Sequence, residues 1–205
     1  MANDPEYERW NTRFAAKDYV FGTAVNAFLA SQKARLKRGQ KALALADGEG
    51  RNGVWLAEQG LDVLSVDYSP AAQEKARKLA AERKVAIRTE LADLTKRHWE
   101  TGAYDIIAAI MIQFARSPER EGIFGGMKRV LKPGGLVLLQ GYRPEQVEYK
   151  TGGPPTRENM YTEEMLRREF ADLRILHLSA HDDEIAEGAG HHGMSALIDM
   201  VAEKP

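Results

Sequence analysis

Residues 42–53 read ALALADGEGRNG, and this stretch decides the fold. Small and apolar residues come first, as they do in a buried parallel strand. Gly48 and Gly50 then interrupt the strand, and residues 51–58 have the pattern of a helix. In such a strand, glycine turn and helix, backbone amides and the helix N-terminus face one ligand. Glycine is needed in the turn because a side chain would keep the ligand away from the backbone.

A second strand is predicted over residues 61–67, which read LDVLSVD and end in Asp67. An acidic residue at the end of this strand can accept hydrogen bonds from both ribose hydroxyls of a nucleoside. The glycine turn and Asp67 together predict a nucleoside-binding site.

Length and composition are ordinary for a soluble globular protein. The chain has 205 residues, of which 43% are hydrophobic and 29% charged, so we predict a single domain over 1–205. Within it we distinguish an N-terminal helical and aromatic segment over 1–38 and a core over 39–205. The formal net charge of -1 gives no global field for nucleic acid or an anionic membrane. Cysteine is absent, which excludes disulfides, thiolate metal sites and a cysteine nucleophile.

The location of the protein is predicted to be cytoplasmic. Residues 1–10 are polar and acidic and lack the apolar centre of a signal peptide. No apolar run approaches the roughly 20 residues that a membrane-spanning helix needs.

The rest of the chain alternates strands and helices. Thr23 is the expected N-cap of a helix over 24–38, and Ser69 and Thr162 are expected to cap two later helices. Further predicted elements are helices over 70–83 and 118–131, strands over 85–89, 104–111, 136–140, 173–183 and 194–203, and a long loop over 141–159. This order predicts an α/β fold: a Rossmann-like, doubly wound, mostly parallel seven-stranded sheet with a terminal antiparallel β-hairpin.

A dinucleotide-binding enzyme has to be weighed first. Residues 48–53 match the pattern GxGxxG, with Asp67 downstream, which favours an NAD(P)-dependent oxidoreductase. Three features count against it: residues 1–41 precede the strand that leads into the turn, Asp47 and Glu49 would repel a pyrophosphate, and a strand pair replaces the second nucleotide-binding half.

At these motifs the chain resembles class I S-adenosylmethionine-dependent methyltransferases. The matching stretches, within about 40–203, are DGEG at 47–50, VDYSP at 66–70, ADL at 92–94, LKPGG at 131–135 and the terminal hairpin. Closer still is the resemblance to tellurite-resistance-type small-molecule methyltransferases. It rests on GEGRN at 48–52, GGPP at 152–155, the Glu-Gly-x-Gly-His pattern at 187–191, and Trp10, Arg13, Tyr19, Gly22 and Asn26.

The resemblance implies S-adenosyl-L-methionine as cofactor and a set of residues that bind it. These are Asp47, Gly48, Glu49, Gly50, Asn52, Asp67, Tyr68, Ala92, Asp93, Leu94 and Met111, with Phe21, Gln113 and Tyr142 expected at the substrate. The superfamily commonly has an acidic residue within the first strand, where Ala44 stands here. Asp47 is therefore expected to contact the ammonium group of the cofactor instead.

The expected reaction is methyl transfer to a small-molecule acceptor, with no nucleic acid or membrane as partner. No pair of residues forms a convincing general base, which favours a soft sulfur, selenium or tellurium nucleophile. A non-catalytic S-adenosylmethionine-binding protein stays open as an alternative. The aromatic residues of segment 4–22 either dock on the core or form a lid over the turn. Adjacent His191 and His192 lack metal-ligand spacing, so no metal is expected.

Overall fold

The computed structural model describes residues 5–188 and 191–205. Its helices are α1 Pro5–Phe14, α2 Ala27–Ser31, α3 Arg51–Glu58, α4 Pro70–Glu82, α5 Glu119–Val130, α6 Gln146–Tyr149 and α7 Glu163–Glu169, with 3-10 turns at Lys33–Arg35 and Arg157–Asn159. Its strands are β1 Lys41–Leu45, β2 Asp62–Asp67, β3 Arg88–Leu91, β4 Tyr104–Ile110, β5 Leu131–Tyr142, β6 Arg174–Glu187 and β7 His191–Glu203.

These strands confirm the predicted fold class. They form a seven-stranded sheet in the order β3-β2-β1-β4-β5-β7-β6. β1 runs parallel to β2, β2 to β3 and β4 to β5, while β7 is antiparallel to β5. Residues 1–4 of the predicted N-terminal segment and residues 189–190 of the Glu-Gly-x-Gly-His pattern lie outside the described residues.

Two compact units are distinguished, and the first consists of residues 5–97 with 187–188. Its centre is β1, whose residues Ala42, Leu43, Ala44 and Leu45 are all at most 2% exposed. A strand covered on both faces needs an uninterrupted run of small and apolar side chains. α4 begins as predicted, because the Ser69 hydroxyl accepts from the Ala72 amide and Pro70 occupies the first turn.

The end of α4 explains why the third strand begins later than residue 85. Lys84 adopts a left-handed conformation at φ +57°, and the Val85 amide donates back to the Ala80 carbonyl at 3.0 Å. This is the Schellman arrangement. Val85 and Ile87 then pack against the buried cluster around Ala80. The apolar run at 85–87 therefore closes the helix end instead of pairing in the sheet, and the prediction of a strand over 85–89 was wrong by three residues at its start.

The predicted helix over 24–38 is much shorter in the structure. Asn26, not Thr23, is its N-cap, and the Asn26 side chain accepts from the Leu29 amide. The helix ends at Ser31, and only a 3-10 turn follows. Asparagine and threonine both favour N-caps, so the local sequence does not distinguish the two positions.

The second unit consists of residues 98–186 and 191–205. Its parallel β4–β5 pair has Ile106, Ile107, Leu138 and Leu139 buried completely. The Lys-Pro-Gly-Gly turn predicted before the fifth strand lies within β5. There the register jumps from Tyr104↔Leu131 to Ile106↔Leu136, so the turn interrupts the pairing as an irregularity.

The predicted long loop over 141–159 is partly ordered by local structure. It contains the end of β5, α6 and the 3-10 turn at Arg157–Asn159. Gln146 is fully buried; its amide donates to Thr151 and Gly152 and accepts from the Ala196 amide. Among the described helices, none is both long enough and apolar enough to cross a membrane.

Candidate functional site

The glycine turn connects β1 to α3. The Gly50 amide donates to the Asp47 carbonyl at 3.0 Å, and Gly50 is the N-cap of α3 with φ +87°. A Cβ at Gly50 would lie 2.6 Å from the Ala76 Cβ and 2.8 Å from the Ala76 Cα of α4. Glycine is therefore required here for both backbone conformation and close packing.

Asp67 lies at the carboxyl end of β2 and is bound to the glycine turn. Its carboxylate accepts from the Gly48 amide at 2.9 Å and from the Ser69 amide at 2.8 Å. Burial raises the pKa of Asp67 to about 6, although these hydrogen bonds favour the charged form. The structure thus brings together the two features that predicted a nucleoside site, an acidic acceptor and a glycine turn.

Asp47 is directed into the protein. Its carboxylate accepts from the Ser65 hydroxyl at 2.7 Å and from the Gly53 amide at 3.1 Å. Only 9% of the residue is exposed, and burial raises its pKa to about 7. Asp47 thereby ties the first turn of α3 to β2. Its expected contact with the ammonium group of a cofactor, in place of an acid at Ala44, stays a prediction.

The raised pKa of Asp47 predicts that the stability of the protein depends on pH. An aspartate titrates near pH 3.9 in an unfolded chain, so between about pH 4 and 7 the folded state binds the extra proton. This site therefore loses stability as the pH rises through that window. In Asp47→Asn the amide can still accept from Gly53 and donate to Ser65. We expect its stability relative to wild type to increase by about 2 kcal/mol between pH 5 and 8.

Urea unfolding at both pH values, without added ligand, measures this difference. Asp93→Asn is the matched control, because hydrogen bonds from Lys96 and Thr95 outweigh the effect of burial and lower the pKa of Asp93. Its difference from wild type should therefore stay constant over the same range. A constant difference for Asp47→Asn as well would show that Asp47 is ionised at pH 5.

Glu49 has a role that the sequence did not show. Its carboxylate accepts from the Val20 amide at 2.8 Å and from the Phe21 amide at 3.4 Å. It also pairs with Lys75 of α4 at 2.7 Å, and Lys75 in turn donates to the Asp18 carbonyl. Glu49 therefore fastens the segment after α1 to the turn. A contact between Glu49 and the cofactor stays a prediction.

An aromatic cap, consisting of Trp10, Phe14 and Phe21, lies beside the glycine turn, which it meets through Phe14. The rings of Trp10 and Phe14 stack with centroids 5.5 Å apart, and Phe21 meets Phe14 edge-on at 6.2 Å. A Cβ at Gly48 would lie 3.3 Å from the Phe14 ring. The ring of Phe14 is buried beside the turn, as the docked-helix interpretation expects, and a lid role for this segment stays a prediction.

Tyr68 follows Asp67 and is partly exposed. Its ring meets Tyr7 of α1 edge-to-face at 5.6 Å, and its hydroxyl donates to the Glu6 carbonyl at 3.0 Å. α1 is held nearby because the Asn11 side chain accepts from the Ser69 hydroxyl. In the structure the Tyr68 ring packs against α1, and its contact with the cofactor stays a prediction.

A buried polar network joins the start of α3 to the end of β6. Asn52 accepts from the Asn26 amide at 3.0 Å. Arg51 forms an ion pair with Glu187 at 2.5 Å, and Glu187 also accepts from the Asn26 side chain at 2.8 Å. Both charged side chains are about 90% buried, so each needs the other. The sequence indicated Glu187 only as part of the family-like pattern.

Gly188 directly follows β6 and lies against residues 20–22. A Cβ at Gly188 would lie 2.5 Å from the Val20 carbonyl oxygen and 2.7 Å from the Gly22 nitrogen. A larger residue would therefore displace residues 20–22, which Glu49 also holds.

Residues 92–94 follow β3 and stay close to Asp67. The Ala92 amide donates to the Asp67 carbonyl at 3.1 Å. Asp93 accepts from the Thr95 hydroxyl and the Lys96 ammonium group at 2.7 and 2.8 Å, and Leu94 is buried. Binding of an adenine by this segment stays a prediction.

Three predicted site residues lie in the second unit. Met111, directly after β4, has a left-handed backbone with φ +58°, which is uncommon outside glycine and occurs often at functional sites. Gln113 exchanges two hydrogen bonds with the backbone of Tyr142, at 2.8 and 2.5 Å. Met111 packs against the buried cluster of Tyr142, Met160 and Leu197. In the part of the chain described, no group of three metal-ligating side chains occurs.

Comparison with known families agrees with this geometry. Residues 42–135 match the model of a family described as a methyltransferase domain. Over this range the chain is similar to methyltransferase domains. The matched range contains the glycine turn, Asp67 and residues 92–94, together with the strands that position them.

The curated relatives of this chain are longer proteins that match it over only part of their length. The chain is 31% identical over 174 residues to Hemagglutinin 1 of Eikenella corrodens, a match that covers 80% of this chain and 55% of that protein. It spans about half the length, or less, of the first curated relatives it matches.

Solved structures show the same fold. TehB from Haemophilus influenzae superimposes with a TM-score of 0.72 at 19% identity, over 98% of this chain and 67% of that one. The N-methyltransferase NodS from Bradyrhizobium japonicum, in complex with S-adenosyl-L-homocysteine, also reaches 0.72, at 14% identity and over 98% and 100% of the two chains. At such identities the similarity establishes the fold.

Proposed function

We propose that this protein transfers the methyl group of S-adenosyl-L-methionine to a small-molecule acceptor. The observation that carries the proposal is the buried carboxylate of Asp67, which accepts from the Gly48 amide of the glycine turn. The match of residues 42–135 to the methyltransferase domain family supports it. The solved complex of NodS with S-adenosyl-L-homocysteine, the product of such a reaction, supports the choice of cofactor.

The residues present fit this cofactor. Asp67 would accept from the ribose hydroxyls, Asp93 and Leu94 would bind the adenine, and Gly48 and Gly50 would let the amino-acid end pass along the backbone. When bound, the cofactor supplies a methyl group on a positively charged sulfur, and the acceptor's lone pair takes it while the bonding electrons stay on sulfur. The protein orients the two groups, which can contribute roughly 7–11 kcal/mol.

The acceptor is proposed to be a soft nucleophile of sulfur, selenium or tellurium. Met111 packs with Tyr142, Met160 and Leu197, with Val147 and Ile185 at its edge. Met111 is a partly exposed member of this group, and its polarisable thioether suits a soft anion better than a strongly hydrated amine. A soft anion also needs no general base. Gln113 and Tyr142 are proposed as the acceptor side of the site, together with Phe21 of the aromatic cap.

Calorimetric titration with S-adenosyl-L-homocysteine tests the cofactor, and we expect micromolar binding. Methyl-labelled S-adenosylmethionine with thiols, selenite, tellurite and primary amines then tests the acceptor. Transfer to amines alone would overturn the soft acceptor but not the enzyme. Binding without transfer to any acceptor would favour the non-catalytic alternative. Fluorescence titration with reduced dinucleotide tests the oxidoreductase, and binding there without binding of S-adenosyl-L-homocysteine would overturn the proposal.

A single domain over 1–205, with the segment 1–38 preceding a cofactor-binding core, stays part of this proposal. So do a cytoplasmic location and the lack of nucleic acid and membrane partners. The low net charge supports a small-molecule acceptor over a polyanion.

A further inference from the structure

The two edges of the sheet differ in length. β3 forms one edge and has four residues, whereas β6 forms the other and has fourteen. Most strands have about 3–10 residues, so β6 is unusually long. Over residues 5–188 and 191–205 the sheet ends at β6, with no further strand beyond it. One side of β6 therefore offers its backbone to an additional strand.

β6 also lacks the usual protection of an edge strand. Native edge strands are commonly short, or they carry lysine or proline residues that hinder pairing with another chain. Residues 174–187 contain neither lysine nor proline. Leu176 on this strand is 37% exposed. An exposed apolar side chain on a long edge strand favours pairing with another strand.

The charges of β6 indicate that the additional strand is a second copy of β6. Arg174 begins the strand, and the acidic run Asp182, Asp183 and Glu184 lies near its end. Parallel pairing in register would place these acids beside their own copies, which is unfavourable. Antiparallel pairing instead places the acids of each copy beside the first half of the other copy.

Two-fold symmetry limits how the two copies can align. Opposite residues of an antiparallel pair have their side chains on the same face, and side chains alternate between faces along a strand. Opposite residues therefore differ by an even number of positions, and the symmetry axis passes through a residue. An axis at Leu178 places Arg174 opposite Asp182, and an axis at Ser179 places Arg174 opposite Glu184. Both registers bring a cation to an acid.

An axis at Leu178 also pairs the apolar side chains of β6. Leu176 would lie opposite Ala180, and each Leu178 opposite its own copy. The paired region, residues 174–182, would extend over roughly 27 Å at about 3.4 Å per residue. An interface of this size suits a weak, reversible dimer.

The charged ends of this register are accessible. The Arg174 side chain is 67% exposed and pairs with Glu203 of its own chain. The Asp182 side chain is 46% exposed and contacts Arg143 and Tyr149. Contacts between exposed charged side chains contribute little to stability, so Arg174 and Asp182 can each add a partner on another copy.

We propose that β6 pairs with β6 of a second copy of this chain, antiparallel and with the two-fold axis at Leu178. The two seven-stranded sheets then form one continuous sheet across the dimer. Each contact occurs twice, because the same strand supplies both sides of the interface. The pairing involves only residues of the second unit and does not depend on the proposed function.

Analytical ultracentrifugation of the wild-type protein over a range of concentrations tests the dimer. We expect a dissociation constant in roughly the micromolar range. Leu176→Lys places a lysine within the paired region of both copies and should raise this constant roughly 10-fold or more. Leu91→Lys is the matched control, because Leu91 is an exposed leucine at the end of the other edge strand, β3. It should leave the constant unchanged.

Disulfide cross-linking tests the register. The protein has no cysteine, so a single introduced cysteine can form a disulfide only between two copies. Opposite residues of an antiparallel pair have Cα atoms about 4.5–5.5 Å apart, within the range of a disulfide. Leu178→Cys should therefore cross-link under mild oxidation. Ala186→Cys, exposed on the same strand, is the control and should not cross-link, because its two copies would lie far apart.

A protein that stays monomeric up to about 1 mM would overturn the proposal. A dimer that Leu176→Lys leaves intact would overturn it too, because the copies would then meet through another surface. Equal cross-linking of Leu178→Cys and Ala186→Cys would show random collision and would also overturn it. Cross-linking of Ser179→Cys in place of Leu178→Cys would overturn the register and keep the pairing.

Discussion

Gly50→Ala is expected to lower the free energy of unfolding by about 3 kcal/mol or more. An alanine held at a left-handed backbone angle costs roughly 1–2 kcal/mol, and a methyl group forced into a packed contact costs about 1–3 kcal/mol more. At Gly50 both apply, because φ is +87° and the Cβ would lie 2.8 Å from the Ala76 Cα. The contact is with backbone, so no side chain can turn away.

Gly39→Ala separates the two contributions. Gly39 has nearly the same angle, φ +81°, and a Cβ there meets nothing within 4 Å. Denaturant unfolding of both variants should show only the conformational part of the loss, about 1–2 kcal/mol, for Gly39→Ala. Equal losses in the two variants would mean that α3 and α4 move apart freely and that the turn is not held by Ala76.

Asp67→Ala is expected to weaken binding of S-adenosyl-L-homocysteine roughly 100-fold or more. Each hydrogen bond to a charged group contributes about 1.5–3 kcal/mol, and the two ribose hydroxyls would lose theirs together. The Gly48 and Ser69 amides, which donate to this carboxylate at 2.9 and 2.8 Å, would also lose their acceptor. Calorimetry of wild type and variant measures the change.

Asp62→Ala is the control for this experiment. Asp62 begins the same strand that Asp67 ends, and it forms an exposed pair with Arg88. It should bind S-adenosyl-L-homocysteine like wild type. Because the pKa of Asp67 is raised to about 6, wild-type affinity should also decline as the pH falls below that value. Affinity of Asp67→Ala within about threefold of wild type would remove Asp67 from the site, since even one lost hydrogen bond of this kind exceeds that factor.

The sequence predicted those parts of the site that depend on neighbours in the chain. The glycine turn, Asp67 at the end of β2 and the Ser69 cap of α4 are all local patterns, in which residue type and spacing nearly determine the backbone. The mostly parallel sheet followed from the alternation of strands with helices. Each of these features spans fewer residues than one strand–helix unit.

The remaining parts depend on contacts between distant residues. Glu187 is 136 residues from Arg51, and no periodicity relates two such positions. For Asp47, the sequence indicated a carboxylate at the turn but not its direction, which is set by Ser65 on the neighbouring strand. The apolar run that begins at Val85 has the composition of a strand. In the structure it packs against the end of α4 and does not pair in the sheet.

The partners of Glu187 and Gly188 have a consequence for biosynthesis. During translation the glycine turn and Arg51 are synthesised first, and Glu187 follows 136 residues after Arg51. At about 5–20 residues per second, a nascent chain therefore carries Arg51 without its counter-ion for roughly ten seconds. Residues 20–22 lack their neighbour Gly188 for longer still, because it is made at least 166 residues after them. If the glycine turn binds the proposed cofactor, its retention is thus expected to begin only after β6 has been synthesised and Arg51 has its counter-ion.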